Sequence, residues 1–319
     1  MDKKVYYRGK AGTYWYNFTE GLAYALTYKP TPANLIYTPH IHYGNGKLQY
    51  FNTYCRKDLL DTKKPLMIYI HGGGWVSGIT EMRNTYLQNF AEKGFYTASI
   101  SYTYAPEKVF PEQLREICSA IDKIFDDADK YNYDTGSILL AGESAGGYYI
   151  FFMAALAADK SLASKLGIEF RHNNEFSIKA MVSHCGCVDL RRLLNPEKPQ
   201  SKFPDMKMMV CSFLGRDYES ALEFLKTDEG SLTYPHITTG FPPVFFTTAS
   251  MDRLRFEGYD MMEEYTALGI PFASYEGTGI IGNHAWTIVT KFKKGRECLQ
   301  ETFDFILPYF NDYKEIFKD

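Results

Sequence analysis

The pentapeptide Gly142-Glu143-Ser144-Ala145-Gly146 sets a serine between small residues. It directly follows the apolar run Ile138-Leu139-Leu140-Ala141 and directly precedes an alanine-rich stretch over 145–158. A serine at a sharp strand-to-helix turn holds its hydroxyl above the sheet, near the N-terminus of the next helix. Glycine on both flanks supplies the room that such a strained turn needs. The chemistry this serves is nucleophilic attack on a carbonyl, with Ser144 as the nucleophile. The competing reading is a plain turn whose serine caps the helix.

A second motif, His71-Gly72-Gly73-Gly74-Trp75, follows the apolar run at 66–70. Consecutive glycines leave backbone N–H groups unshielded, as a developing oxyanion requires. Gly73 and Gly74, with the N–H of Ala145 after the nucleophile, are the expected donors. His71, fixed beside a strand end, reads as an organiser of this loop and not as a base.

A nucleophilic serine needs a base, and the base needs a carboxylate to orient it. For a serine on such a turn the chain order is serine, acid, histidine. His184, His236 and His284 lie beyond the turn. His284 follows a predicted strand and the loop 277–283, with one more helix after it, and is the expected base. Asp252, just past the apolar run 244–249, is the expected acid; Asp217, Asp260 and Glu276 are the alternatives.

These residues need a scaffold. Apolar runs at 66–70, 96–102, 138–141, 178–183, 244–249 and 271–275 read as strands. Helical patterns at 82–93, from Pro111 onward, 145–158, 256–268 and 295–307 alternate with them. That order predicts an α/β fold with a mostly parallel sheet flanked by helices, whose ligands bind at the carboxyl ends of the strands. Residues 1–50 read as irregular, with one helix near 18–27, and 187–240 interrupts the alternation. Both are expected to contribute a small cap or lid to a single domain over 1–319.

Composition narrows the function classes. Lys plus Arg total 35 against 38 acidic residues, a net charge of -3, which argues against a nucleic-acid partner. No apolar run is long enough for a membrane span. The start lacks the apolar segment of a secretory signal, so a cytoplasmic location is expected, with a homodimer left open. The six cysteines are too sparse for a disulfide scaffold, and Cys185-Gly186-Cys187 lacks the second pair a metal site would need. Gly277-Thr278-Gly279-Ile280-Ile281-Gly282 spells a dinucleotide fingerprint, but too little chain remains for a binding half. Neither cofactor nor metal is expected. The aromatic excess, 26 Tyr and 23 Phe, points to an aromatic-lined pocket in part roofed by residues 1–50.

In combination these motifs resemble the α/β-hydrolase superfamily, and within it the hormone-sensitive-lipase-like esterases. The likeness includes His71-Gly72-Gly73-Gly74, Gly142-Glu143-Ser144-Ala145-Gly146-Gly147, Tyr104-Ala105-Pro106-Glu107 with Phe110-Pro111, and Asp252-Arg253-Leu254. It covers roughly 65–290. Two departures are His284-Ala285-Trp286, where the family often has glycine after the histidine, and Thr248-Ala249-Ser250-Met251 before the acid. The resemblance implies a serine carboxylesterase acting on small to medium acyl esters through an acyl-serine, with Trp75 and Tyr148 beside the acyl group. An arylformamidase-like amide hydrolase is the first alternative and a non-catalytic binding protein the second.

Overall fold

The computed structural model describes residues 2–197 and 204–318. Eight strands form one sheet: β1 (Leu35–His42), β2 (Tyr50–Arg56), β3 (Lys64–Ile70), β4 (Tyr96–Ile100), β5 (Tyr133–Glu143), β6 (Ile178–His184), β7 (Val244–Ala249) and β8 (Phe272–Gly277). Their spatial order is β1-β2-β4-β3-β5-β6-β7-β8. Only the β1–β2 and β2–β4 pairs are antiparallel; β4 through β8 run parallel.

Side-chain alternation makes the sheet a divider between two apolar layers. On β3, Leu66, Ile68 and Ile70 join one layer with Phe151 and Phe152, while Met67 and Tyr69 join the other with Phe90 and Phe303. Burial on both faces is why the parallel strands read as continuous apolar runs.

The antiparallel edge was not legible in the sequence. Residues 35–42 and 50–56 are sheet, so the expected cap contribution of 1–50 shrinks to its helical part. Pro39 hides β1: the β1–β2 register shifts between Thr38 and Ile41, and His40 takes φ 52. Proline in a strand is tolerated at an edge or bulge, and this one has both. The single helix expected near 18–27 is instead a long one, Lys3–Thr27.

Between β6 and β7 the chain forms the short helices Leu190–Leu194, Pro204–Leu214, Tyr218–Phe224 and Asp228–Ser231. Residues 198–203 of the predicted cap region lie outside the described residues. The helix Lys3–Thr27 packs on Pro204–Leu214 through small side chains: a Cβ on Gly12 would lie 2.6 Å from Met208 Cε. No helix among the described residues is long and apolar enough to cross a membrane.

Candidate active site

Parallel register brings the site together. Ile70 pairs with Gly142, Glu143 with His184, and His184 with Thr247, so the ends of β3, β5, β6 and β7 form one edge. Ala249 pairs with Gly277, which extends the edge to β8, and Ser144, the glycine loop, Asp252 and His284 all follow strands that end there.

Ser144 sits between β5 and the helix Ala145–Ala158 with φ 55 and ψ −119. A non-glycine residue there is strained, and a surrounding lattice of bonds holds it. Its N–H donates to His184 O at 2.9 Å, and its own carbonyl accepts from Cys187 N at 3.4 Å. The turn closes because Gly146 lacks a side chain: a Cβ there would lie 2.0 Å from Ile70 O. Ala145 opens the helix, so its N–H belongs to the first turn, which has no intrahelical acceptor.

The glycine loop is anchored from beneath. Glu143 is 1% exposed, and one of its carboxylate oxygens accepts from Gly72 N at 2.8 Å and from Arg83 Nε at 2.6 Å. Tyr69 OH donates to the other oxygen. Burial pushes this carboxyl upward, but Arg83 together with the hydrogen bonds from Tyr69 and Gly72 holds it below the ordinary range. With Gly72 N–H engaged, Gly73 and Gly74 carry the loop on into the cavity, where both line the wall with Ser144. Gly74 has φ 60, and a Cβ there would meet Met209 Sδ at 2.3 Å, so the helix Pro204–Leu214 seats directly on it. His71 is fully buried and stacks on Tyr102 at 4.5 Å; its Nδ1 bonds Gly72 O at 2.7 Å. Burial lowers its pKa, so it is a neutral loop organiser.

Asp252 and His284 meet across two neighbouring loops. Asp252 Oδ2 accepts from His284 Nδ1 at 2.8 Å, and Asp252 Oδ1 accepts from Leu254 N at 2.9 Å. The aspartate is 2% exposed, whereas the histidine side chain is 39% exposed. A carboxylate on Nδ1 fixes the tautomer with Nε2 as the basic nitrogen. Burial disfavours charge on both groups, but their mutual attraction and hydrogen bond, with Cys185 beside them, outweigh it. Asp252 is held below the ordinary carboxylate range and His284 well above the ordinary imidazole value. Ser250 N donates to Gly277 O at 2.9 Å and Met251 N to Gly282 O at 2.8 Å, stitching the two loops together. The glycine-rich segment before His284 is thus a tied turn around the short helix Gly279–Ile281, where the sequence suggested a flexible loop.

The competing residues have other partners. Asp217 caps the helix Tyr218–Phe224, Asp260 pairs with Arg192 at 2.8 Å, and Glu276 accepts from Tyr259 OH at 3.2 Å. His184 is buried, bonded to Tyr86 OH at 2.6 Å, and pushed down to about 3 by burial. His236 packs edge-on to Tyr234.

Ser144, Asp252, His284, Gly73, Gly74 and Trp75 line one cavity of about 640 Å³. Trp75 is 1% exposed and stacks on Phe213 at 5.0 Å. Tyr148 corrects the expectation: it is fully buried behind Trp75, donates to Thr233 O at 2.7 Å, and lies outside the cavity wall. Sequence reasoning missed Tyr16, Met206, Met209 and Trp286, which line the cavity. Trp286 was signalled by its place beside His284; the cap residues carried no local signal.

Cys185, read from the sequence only as half of a Cys-Gly-Cys pair, also belongs to this site. It takes φ 49 at the end of β6, and its thiol lies within 4.8 Å of donor atoms of Asp252 and His284. Thiol, imidazole and carboxylate are the donor types of a zinc site, and these three are the residues that could hold such an ion here. Cys187 is not part of the cluster: its thiol donates to Ser144 O at 3.7 Å.

Comparison with known proteins agrees with this architecture. Esterase LipC of Mycobacterium tuberculosis is 27% identical over 164 residues, 51% of this chain, which spans only 40% of that protein. An esterase of Gibberella moniliformis is 26% identical over 274 residues, covering 83% of this chain and 80% of the relative. The crystal structure of esterase B from Lactobacillus Rhamnosis superposes with a TM-score of 0.79 at 16% identity, covering 98% of this chain and 97% of that one. The BD-FAE family model matches residues 54–254, the span from β2 to just past Asp252. The chain belongs to the BD-FAE family, among the hormone-sensitive-lipase-like α/β-hydrolases.

Proposed function

We propose that the protein is a serine carboxylesterase hydrolysing small to medium acyl esters. The observation that carries this reading is the Asp252–His284 pair facing the same cavity as a serine held at φ 55. His284 Nε2 takes the Ser144 proton as the hydroxyl attacks the ester carbonyl, and Asp252 offsets the imidazolium charge. The N–H groups of Gly73, Gly74 and Ala145 receive the oxyanion. His284 then protonates the leaving alcohol, and a water activated by the same nitrogen releases the acid from Ser144. The esterase names of the curated relatives support the ester class.

The wall residues support the acyl range. Trp75, Trp286, Met206, Met209 and Tyr16 offer an apolar lining in a cavity of about 640 Å³, which suits a short or medium chain. Turnover of p-nitrophenyl esters of increasing chain length, beside N-formyl aromatic amides, tests this. The expected result is ester hydrolysis peaking at short to medium chains. A strong preference for the formamide overturns it.

A further inference from the structure

Cys185 brings a third ligand atom to the Asp252–His284 pair. It sits in the left-handed region where β6 ends, and its N–H donates to Thr247 O at 2.8 Å. That region costs a cysteine more than it costs glycine, yet here it holds the thiol against the loops that follow β7 and β8. The Cys185 thiol, a carboxylate oxygen of Asp252 and a ring nitrogen of His284 all lie within 4.8 Å of one another. Among the described residues this is the single trio of such side chains to converge so closely. The partners that Cys185-Gly186-Cys187 lacks along the sequence thus come from two other loops.

One thiolate, one imidazole and one carboxylate make an open zinc site, with water from the cavity in the fourth place. Tetrahedral bonds of about 2.0–2.3 Å set the ligand atoms about 3.4–3.6 Å apart. The thiol therefore has to close by little more than about 1 Å, and the Asp252–His284 contact to open by roughly half an ångström. Side-chain rotations cover both. Thiolate and carboxylate together cancel the charge of the dication, so no net charge is buried. The ion has a way in, because Asp252 and the partly exposed His284 line the cavity.

We propose that Cys185, Asp252 and His284 form an inhibitory zinc site that reversibly disables the acyl-transfer machinery. The inhibition rests on the acyl-transfer reading; the binding of the ion does not. Zinc seated beside Asp252 takes His284 Nδ1, the nitrogen whose proton Asp252 otherwise accepts. A neutral imidazole bound through Nδ1 carries its one proton on Nε2. That nitrogen is the proposed acceptor of the Ser144 proton, so the base is lost while the serine and the glycine loop stay untouched. Starting from the neutral base, the Nδ1 proton moves to Nε2 and the thiol proton leaves to solvent.

Cobalt(II), which substitutes for zinc and absorbs in the near ultraviolet when bound to thiolate, reads the binding without turnover. Full-length Ser144→Ala protein titrated with cobalt chloride should develop this thiolate band at one ion per chain, and zinc chloride should abolish it. In that background Cys185→Ser, which keeps the side-chain shape, and His284→Ala should each weaken binding by at least roughly a hundredfold. Unchanged thermal unfolding verifies that they fold. With Ser144 present, zinc chloride should slow p-nitrophenyl ester hydrolysis by at least roughly tenfold, and EDTA should restore it. Measured against its own zinc-free rate, Cys185→Ser should need at least roughly a hundredfold more zinc for the same loss. No thiolate band in the Ser144→Ala protein overturns the site, and so does a band that survives Cys185→Ser. Unchanged or faster hydrolysis at zinc concentrations that abolish the band overturns the inhibition. A protein that binds cobalt through Cys185 but hydrolyses no ester without zinc upholds the site and overturns the acyl-transfer reading, and the inhibition with it.

Discussion

The carboxylate of Glu143 accepts a hydrogen bond from the backbone N–H of Gly72 at 2.8 Å, tying the residue before Ser144 to the loop proposed to hold the oxyanion. The same oxygen bonds Arg83, so the loop rests on a buried ion pair. Ser144 and the glycine loop, the proposed nucleophile and oxyanion donors, are therefore tied together through one side chain.

Replacing that side chain should harm both stability and rate. Glu143→Ala takes away the buried acceptor of Gly72 N, Tyr69 OH and Arg83 Nε, at a cost of about 3–5 kcal/mol in denaturant unfolding. Glu143→Gln keeps the shape and an acceptor for Gly72 but weakens the hold. Its kcat should fall by about tenfold to a hundredfold with little change in KM, because the loop acts on the transition state. A Gln variant with wild-type kcat would show that the tether does not position the donors.

The Asp252–His284 pair sets the acid limb of the pH profile. Its attraction raises the imidazole pKa, so the proton stays on to higher pH and the neutral base is reached only above the ordinary value of 6.5. Activity on a soluble ester should therefore decline as pH falls through a point above 6.5. Asp252→Asn should move that limb downward and reduce kcat by about 10⁴-fold. A limb that does not move on this substitution would separate Asp252 from His284.

The turn at Ser144 is intolerant of a methyl group. A Cβ on Gly146 would press on Ile70 O at 2.0 Å, and on backbone of β3 rather than a movable side chain. Gly146→Ala should lower stability by about 3 kcal/mol, at the upper end of overpacking costs. Thermal unfolding of the variant checks this; a shift of only a degree or two would mean that the elbow yields easily.

Acyl selectivity should depend on the inward face of the helix Lys3–Thr27. Tyr16→Ala opens the cavity wall, and the kcat/KM ratio of long over short esters should rise by about tenfold. Deletion through residue 30 should broaden selectivity further. Deletion through residue 50 would strip β1 and is expected to unfold the sheet edge. Unchanged chain-length preference in Tyr16→Ala would remove this helix from the acyl site.

Much of this site was legible because its residues are constrained locally. The glycines around Ser144 and after His71 lie where the two motifs press on each other's backbone, Gly146 on Ile70 and Gly72 on Glu143, so the pair of motifs reads as one geometry. The parallel strands were equally readable, since burial on both faces leaves no polar alternation to confuse. What failed depended on distant partners. β1 was hidden by Pro39, which an edge bulge accommodates, and Glu143 received no role in the sequence because its partners Arg83 and Gly72 lie far along the chain. Tyr148 was placed one layer too near the substrate, because nothing adjacent in sequence reveals that Trp75 stands in front of it. The departure at Ala285 is also clear in three dimensions: it takes φ 58, a conformation that glycine adopts at less cost.

The central claim is that Ser144 is the nucleophile of an acyl-transfer site, and covalent labelling tests it most directly. Incubation with an organophosphonate ester, followed by mass spectrometry of the intact protein and its peptides, should show one phosphonyl group per chain, on Ser144, with activity lost in proportion. Ser144→Ala should take up none, and His284→Ala should react far more slowly. An intact wild-type mass after prolonged incubation, or a label on another residue while Ser144 stays free, would contradict the account.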